Sequence, residues 1–306
     1  MRVQEKVFLL AIFLALLLIY PGWKSRLNLE NKISATAINQ LHQKNQTCPI
    51  IKNIELVFTD NKGTANEPGV NYVIIFDPKS PDLDFKVSLG LDHALYAKDE
   101  RGKFLKNYIP KTFNELIFDR NSLLEGKLPI AAINGDFLDV NNKPQGLNIS
   151  QGVEYSGSFK DKRSSFGISG GKPKERRATI QIGKRKEAIL NYNLVGGNGR
   201  FYNNGKFKNI CPELGDYVCS QTSRSLAATT SKGYVIFLVN NANLEKALYP
   251  SMFDDVLQGI ANNYCLGKIQ EGILFDGGFS TGLYFANKFY VENTHPVGSV
   301  FLIYKK

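Results

Sequence analysis

The sequence predicts an α+β fold, in which one domain is built on a largely antiparallel or mixed β-sheet with a few packed helices. Short runs of β-branched and aromatic residues recur between glycine- and proline-containing turns, a pattern typical of antiparallel strands. Only one stretch, residues 251–264, has a clear helical period. The composition, 43% hydrophobic and 22% charged over 306 residues, is that of a chain able to bury a full core.

The N-terminal residues have the pattern of an export signal. Arg2 and Lys6 flank the start of the chain, and an unbroken apolar run covers residues 7–20. As a helix this run is about 21 Å long, shorter than the hydrocarbon core of a bilayer at about 30 Å. No Ala-x-Ala cleavage site follows it. We therefore expect residues 1–27 to form a signal peptide or, in preference, an apolar helix that anchors the protein through residues 7–23.

Residues 28–47 are polar and rich in Asn and Gln, so they are expected to link this segment to a folded domain spanning residues 48–306. The body of the protein is then predicted to lie outside the cytoplasm, at the cell surface, in a periplasm or secreted. The domain should contain a series of strands and two helices. Strands are predicted at residues 54–59, 71–76, 85–91, 128–133, 165–169, 178–182, 226–230, 234–239 and 273–275 and within 284–304, and helices at 113–124 and 251–264.

Both helices have start signals. Thr112 precedes the first helix and is followed three residues later by Glu115, which is the pattern of a capping box. Ser251 is placed to cap the second helix, whose apolar residues share one face and are predicted to be core.

The four cysteines indicate an oxidising compartment. Cys211 and Cys219 bracket a short turn-like segment, so we predict that they form one disulfide and that Cys48 and Cys265 form the other. Two other pairings remain open at this point. A zinc site is the alternative, but no Cys-x-x-Cys pair or neighbouring histidine supports it.

The charge balance is basic. Lys and Arg number 38 against 28 Asp and Glu, a net charge of +10, so the surface should attract phosphates, acidic polysaccharides or anionic lipid headgroups. The basic residues are dispersed, without zinc-finger spacing or a basic helix, so nucleic acid is not an expected partner.

The most informative stretch runs from residue 275 to residue 282. Asp276 ends a short apolar strand, and Gly277 and Gly278 follow it immediately, which allows a ligand to approach the backbone closely. Ser280 and Thr281 add two hydroxyl groups. The stretch is therefore a candidate site for an oxygen-rich ligand. Its alternative is a simple hairpin, because Asp-Gly is also a strong turn signal.

A second strand, residues 128–133, ends in the same manner. Asn134 and Asp136 follow it on a glycine-containing turn, and Gly146 comes shortly afterwards. Gly196 and Gly197 do not match a phosphate-binding loop, and they suit a close backbone approach to a ligand or to the sheet. Arg224 lies between two serines at the entrance to a strand, where its planar guanidinium could bind a phosphate or pair with a carboxylate.

Taken together, these motifs resemble the phosphodiester glycosidase family. The resemblance covers roughly residues 54–304 and rests on the order and spacing of five motifs. They are Ile-Asn-Gly-Asp-Phe at 133–137, Pro-Gln-Gly at 144–146, Val-Gly-Gly at 195–197 with Asn-Gly at 204–205, Ser-Arg-Ser at 223–225, and Phe-Asp-Gly-Gly-Phe-Ser-Thr at 275–281. The family's usual Arg-Thr is Arg224-Ser225 here, and the third glycine of its Asp-Gly-Gly-Gly-Ser-Thr run is Phe279.

The resemblance implies cleavage of a sugar-1-phosphodiester between the anomeric carbon and the phosphate oxygen. A phosphodiester is already an acidic leaving group, so the chemistry needs a cation for the phosphate and a carboxylate for the anomeric centre more than a general acid. We predict Arg224 as the phosphate clamp, assisted by Ser280, Thr281 and the amides of Gly277 and Gly278. Asp276 and Asp136 are then the candidates for base or nucleophile.

The remaining candidates concern the sugar and a metal. Asn134 is expected to hydrogen-bond a sugar hydroxyl, and Gly146, Gly196 and Gly197 are candidates for substrate contact. No cofactor is required by the sequence, although the carboxylates could instead bind Ca²⁺ or Mg²⁺. None of the histidines, His42, His93 and His295, falls in a catalytic pattern, and His295 is expected to be structural.

Two other functions stay open. One is a non-catalytic module that binds anionic polysaccharide through the basic surface and glycine-rich loops. The other is a phosphodiesterase that breaks the P–O bond. The enzymatic interpretation predicts that Asp136, Asp276 and Arg224 converge on one pocket.

Overall fold

The computed structural model of the protein describes residues 48–64, 70–90, 108–155, 163–211, 215, 219–220, 222–241 and 246–306. The predicted N-terminal signal or anchor and the linker after it lie outside these residues. Within them, no helix is long and apolar enough to cross a membrane.

The described residues form three antiparallel sheets and few helices, which confirms the predicted sheet-dominated class but divides the single predicted sheet into three. The strands are β1 (Ile54–Thr59), β2 (Asn71–Phe76), β3 (Leu83–Ser88), β4 (Ala131–Asn134), β5 (Ile149–Ser150), β6 (Val153–Glu154), β7 (Ser164–Ile168), β8 (Ala178–Ile182), β9 (Asn193–Gly196), β10 (Asn198–Asn203), β11 (Lys206–Phe207), β12 (Arg224–Thr230), β13 (Val235–Asn240), β14 (Ile269–Leu274), β15 (Leu283–Phe285), β16 (Lys288–Val291) and β17 (Val300–Lys305). The helices are α1 (Phe113–Phe118) and α2 (Phe253–Asn263).

The three sheets have different sizes and strand orders. The large sheet has seven strands in the order β1-β2-β13-β12-β14-β10-β11. One five-stranded sheet has the order β16-β15-β4-β17-β3, and the other has the order β6-β5-β9-β7-β8. Strands from distant parts of the sequence are therefore neighbours, as β4 and β17 are.

The main core consists of aromatic side chains contributed by all three sheets. Phe237 of the large sheet packs against Phe166 and Phe301 of the two smaller sheets, with ring centroids 5.2 Å and 5.6 Å away, and all three rings are fully buried. The neighbouring Phe275, immediately before the Asp276 motif, joins the same core. Burying this many rings fixes where β14 ends, and with it the position of Asp276.

The two helices pack on outer faces of the sheets. The apolar stripe of α2, which includes Val256, Leu257 and Ile260, covers the large sheet, as predicted for a core-facing stripe. Phe113 and Leu116 of α1 pack against the sheet that contains β4 and β17.

Several predicted boundaries are wrong. The helix predicted over residues 113–124 ends at Phe118, because Asp119 is extended and its side chain caps a short 3-10 turn, Arg120–Ser122. The capping box of Thr112 and Glu115 is confirmed. Ser251 does not cap α2, since Pro250–Met252 forms a 3-10 turn before the helix.

The strand prediction is correct at β1, β2 and β8, and it is displaced by a few residues at β3, β4, β7, β12 and β13. The strands β5, β9, β10 and β11 were not predicted, and β14 begins at Ile269 rather than at residue 273. Its early part contains Glu271, whose side chain pairs with Arg200 of the adjacent β10, and this cross-strand ion pair keeps a polar residue within the sheet.

Candidate functional site

Two neighbouring strands of the large sheet bring Arg224 and Asp276 together. In the antiparallel pairing of β12 with β14, Leu226 lies opposite Leu274. Just beyond this pair the N–H of Phe275 donates to the carbonyl of Ser225 at 2.9 Å, so Arg224 at the start of β12 and Asp276 after the end of β14 come to the same edge of the sheet. Both residues line one cavity of about 220 Å³. The other residues that line it are Phe137, Asn198, Ser220, Thr222, Leu274, Phe275, Gly277 and Gly278.

Asp276 is held at its backbone and at its carboxylate. Its N–H donates to the carbonyl of Gly135 at 2.9 Å, which joins the two aspartate motifs directly. The carboxylate accepts the N–H of Gly277 at 2.9 Å and is also hydrogen-bonded by the side chain of Ser280. Burial raises the pKa of Asp276 to about 7, and the charge of Asp136 adds to this rise. The hydrogen bonds from Ser280 and Gly277 and the charge of Arg163 oppose it.

Asp136 is next to this site but fully enclosed. Its Oδ2 accepts the N–H of Gly146 and the Nδ2 of Asn148, each at 2.7 Å, while Oδ1 accepts the N–H of Phe137 at 2.9 Å. The side chain has no exposed surface. Burial raises the pKa of Asp136 to about 6, against the opposing effect of these hydrogen bonds and of Arg163. Because both oxygens are occupied by protein donors, this geometry favours Asp276 over Asp136 as the carboxylate that meets a ligand.

The glycines predicted to touch substrate have a different position. A Cβ atom at Gly196 would lie 2.4 Å from Oδ2 of Asp136, and one at Gly146 would lie 3.1 Å from the same atom. A Cβ at Gly197 would lie 2.8 Å from the carbonyl oxygen of Leu274 on β14. Close packing around Asp136 and the sheet thus explains these three glycines, and they are not among the described residues that line the cavity.

Gly277 and Gly278 do line the cavity, but their amides are already used. The Gly277 N–H donates to Asp276, and the Gly278 N–H donates to the carbonyl of Ser223 at 2.9 Å. Gly278 has a φ of +62°, a conformation that favours glycine. Both amides thus donate within the protein and stabilise the shape of the turn, and their contact with phosphate stays a prediction.

The remaining predicted residues are placed as follows. Ser280 bonds Asp276, whereas Thr281 is only 2% exposed and lies outside the cavity lining. Asn134 is completely buried, and its Nδ2 donates to the carbonyl of Asp276 at 2.8 Å. Asn134 thus supports the backbone of Asp276, and its contact with a sugar hydroxyl stays a prediction.

Arg224 is buried, with 4% of its surface exposed. Its Nη2 donates to the carbonyl of Ser220 at 2.6 Å, and burial lowers the pKa of the guanidinium from its ordinary, very high value. An arginine side chain nevertheless stays charged in proteins, so Arg224 supplies a cation to the wall of the cavity. Ser220 directly follows a disulfide between Cys211 and Cys219, which anchors this part of the wall.

Cys48 and Cys265 are also disulfide-bonded. None of the four cysteines is therefore free. This oxidation state is typical of proteins outside the cytoplasm.

Two further residues belong to the site although the sequence-based prediction gives them no role. Asn148 supports Asp136, and its Oδ1 also accepts the N–H of Gly196 at 2.9 Å. Arg163 donates from Nε to the carbonyl of Gly197 at 3.1 Å, and its guanidinium lies 4.5 Å from the centre of the Phe137 ring. Arg163 precedes the strand β7 and a serine, as Arg224 precedes Ser225, and this repeated pattern is a signal that could have identified it.

In the part of the chain that the structure describes, no cluster of three or more His, Cys, Asp or Glu side chains is arranged to hold a metal ion.

Comparison with known proteins gives one family match and two informative structural matches. A family model described as phosphodiester glycosidase matches residues 128–304. The catalytic domain of zebrafish N-acetylglucosamine-1-phosphodiester alpha-N-acetylglucosaminidase, auto-inhibited by its pro-peptide, is 14% identical, with 83% of each chain covered and a TM-score of 0.55. A hypothetical protein from Synechocystis is 12% identical, with 83% of this chain and 62% of that chain covered and a TM-score of 0.52. At these identities the two structures show a shared fold. No curated protein sequence matches.

Proposed function

The chain belongs to the phosphodiester glycosidase family, and we propose that it hydrolyses the glycosyl–phosphate bond of a sugar-1-phosphodiester in an envelope or extracellular glycan. The observation that carries the proposal is that Arg224 and Asp276 line the same cavity. A cation and a carboxylate on one cavity wall are the two groups that this reaction needs.

The cation is assigned to the phosphate. A phosphodiester keeps its negative charge at neutral pH, and the charge on the departing oxygen grows as the bond to the anomeric carbon breaks. Arg224 is buried and held by the carbonyl of Ser220, so its charge is pre-positioned and poorly screened by water. Its guanidinium would bind the phosphate in the ground state and stabilise the developing phosphomonoester more strongly.

The carboxylate is assigned to Asp276. This side chain lines the cavity, and its pKa of about 7 is close to the optimum for a general base at neutral pH. In the proposed step it takes a proton from a water molecule whose oxygen bonds to the anomeric carbon. The bond from that carbon to the phosphate oxygen breaks, and its electron pair leaves with the phosphomonoester bound at Arg224. Free sugar and phosphomonoester are the products, without a need for a general acid.

Asp136 then acts through Asp276. Its enclosed charge raises the pKa of Asp276, and the hydrogen bond from Asp276 N–H to the Gly135 carbonyl fixes the distance between the two motifs. We therefore propose Asp136 as a positioning residue, supported by Asn148 and by the close packing of Gly196.

The disulfide-bonded state of all four cysteines supports an extracytoplasmic location. Anchoring through residues 7–23 is part of the proposal and would hold the domain at a membrane surface, near envelope glycans.

The test is hydrolysis of an N-acetylglucosamine-1-phosphodiester by the full chain in water enriched with oxygen-18. We expect free sugar that carries the label at its anomeric oxygen. Asp276→Asn should lower kcat by about 10²- to 10⁴-fold, and Arg224→Ala should lower kcat/KM by about 10²- to 10³-fold. Asp255→Asn, at an exposed position on α2, is the matched control and should leave hydrolysis unchanged.

Three results would contradict the proposal. Label in the phosphate would show P–O cleavage. Full activity of Asp276→Asn would remove the assigned base. No release from any sugar-1-phosphodiester, together with salt-sensitive binding of acidic glycans, would favour the polysaccharide-binding module.

A further inference from the structure

Phe279 is a large apolar side chain exposed beside the site. It belongs to the 3-10 turn Gly278–Ser280, whose first residue lines the cavity and whose last residue bonds Asp276. The ring is 73% exposed. A single exposed phenylalanine is common on protein surfaces and means little alone. Phe279 differs because it lies next to the cavity and because neighbouring residues hold its ring in one orientation.

The ring of Phe279 is held in place by His295. The two rings are stacked, with centroids 4.9 Å apart and planes inclined by 20°. The carbonyl of Phe279 accepts the N–H groups of Thr294 and His295 at 3.2 Å and 3.4 Å. The imidazole is fixed in turn, since its Nδ1 lies 3.1 Å from the hydroxyl of Thr294. One face of the phenylalanine is therefore covered by a second ring, and most of its surface remains open to solvent.

The segment that carries His295 is tied to the same turn. Nδ2 of Asn293 donates to the carbonyl of Ser280 at 3.0 Å, and Oδ1 of Asn293 accepts the N–H of Phe113 at the start of α1. Asn293 itself is only 6% exposed. The segment beneath the stacked pair is thus held by buried and partly buried hydrogen bonds, which lowers the entropy cost of binding a ligand there.

The cavity is small, so a long substrate would also need a binding surface outside it. At about 220 Å³ it is smaller than the roughly 300–1,000 Å³ of pockets that enclose drug-sized ligands. It has room for the groups next to the reacting bond, and a longer glycan must continue over the rim. Phe279 lies one residue beyond the cavity-lining Gly278, so its exposed ring is within reach of a chain that leaves the cavity on this side.

We infer that Phe279, backed by His295, forms a stacking platform for a second sugar ring of the substrate, outside the cavity. The inference rests on the proposed function and adds to it the chemistry of the substrate beyond the cleaved bond. A pyranose presents a face of C–H groups that packs on an aromatic ring, whereas methyl or glyceryl groups offer no comparable flat surface. The protein would then prefer diesters whose phosphate joins two sugars.

The experiment uses the full chain and three diesters of the same sugar-1-phosphate. Their second alcohol is methanol, glycerol or the primary hydroxyl of another hexose. Phe279→Ala should raise KM for the hexosyl diester by roughly three- to tenfold and leave kcat unchanged. The same variant should leave the methyl and glyceryl diesters unaffected. Phe279→Leu keeps apolar bulk but removes the flat ring, so its KM for the hexosyl diester should rise as in Phe279→Ala. Phe279→Trp keeps a flat ring, so its KM should stay as low as that of wild type.

Equal losses on all three diesters, or no loss on any, would overturn the platform. If the wild type hydrolyses none of the diesters, the proposed function fails and the platform is decided separately by calorimetric titration with the hexosyl diester. Weaker binding by Phe279→Ala than by wild type supports it, and equal binding, or no binding by either protein, overturns it.

Discussion

Two aspartates follow two similar strand ends, and their surroundings separate their roles. Asp136 has three protein donors and no exposed surface, whereas Asp276 lines the cavity and accepts from Gly277 and Ser280. Burial raises the pKa of both carboxyls, but only Asp276 combines a raised pKa with access to a ligand. Differences in environment between paired carboxylates are how protein sites assign acid and base roles.

The raised pKa of Asp276 also predicts a pH-dependent stability. The carboxyl titrates near 3.8 in the unfolded chain and at about 7 in the folded protein, so between these values the folded state binds the proton more tightly. The free energy of unfolding should therefore fall as pH rises from about 4 to about 7. Asp276→Asn removes this contribution. The free energy of unfolding of the variant minus that of wild type should therefore be larger at pH 8 than at pH 5. Urea unfolding at the two pH values measures the difference.

Asp136 titrates in both proteins and is coupled to Asp276 by charge, so the difference between wild type and variant reports the carboxyl of Asp276 together with this coupling. Asp255→Asn, on the exposed face of α2, controls for the loss of one negative charge. If wild type and Asp276→Asn lose stability in parallel between pH 5 and pH 8, the carboxyl of Asp276 is not the group with the raised pKa.

At the scale of elements, one side chain joins two sheets at the cavity. Asn134 ends β4 of a five-stranded sheet, and its Oδ1 accepts the hydroxyl of Ser225, on β12 of the large sheet, at 2.6 Å. The same oxygen accepts the N–H of Gly282 at 3.0 Å, while Nδ2 holds the carbonyl of Asp276. Asn134 therefore holds the end of β4, the start of β12 and the turn that carries Asp276 in place relative to each other.

This arrangement predicts a loss of both stability and activity in Asn134→Ala. Leaving several buried groups unsatisfied should cost about 1–3 kcal/mol in the free energy of unfolding, measured by urea titration. Because the Asp276 turn loses its support, kcat should also fall at least tenfold.

Asn193→Ala is the matched control, since Asn193 is buried at the far end of β9 and bonds the backbone of Phe85 and Gln151. That variant should lose stability with little change in kcat, and equal kinetics for the two variants would contradict the positioning role.

These contacts mark the limit of what the sequence could predict. The strands β1, β2 and β8 were found because alternation within a few residues is a local signal. The bond between Asn134 and Ser225 joins positions 91 residues apart, and no local pattern contains it. The same is true of Gly196, whose role depends on the distant Asp136. Motifs pointed to the residues around the site, and only the sheet pairing shows the hydrogen bonds by which Asn134 and Gly135 hold Asp276.

At the scale of the whole molecule, the order and spacing of five motifs were enough to predict the family, which the family model matching residues 128–304 confirms. The division into three sheets was not predictable in the same way. Alternation predicts that a strand has one buried face, and the partner that covers this face comes from anywhere in the chain. The aromatic core formed by Phe166, Phe237 and Phe301 brings all three sheets together, and it depends on residues that are well over fifty positions apart in sequence.

The net charge of +10 predicts how the whole molecule should respond to salt. A positive field attracts anionic substrate over a distance set by screening, which falls from about 10 Å at 0.1 M salt to about 3 Å at 1 M. Attraction grows with the charge of the ligand, so kcat/KM for a polymer of phosphodiesters should fall several-fold between about 0.05 M and about 0.5 M salt, with kcat unchanged. A diester with one charge should respond much less. Lys174→Glu, a charge reversal at an exposed position, should reduce the salt response towards the polymer. An identical response for polymer and single diester would show that salt acts at the Arg224 site and not through the field of the molecule.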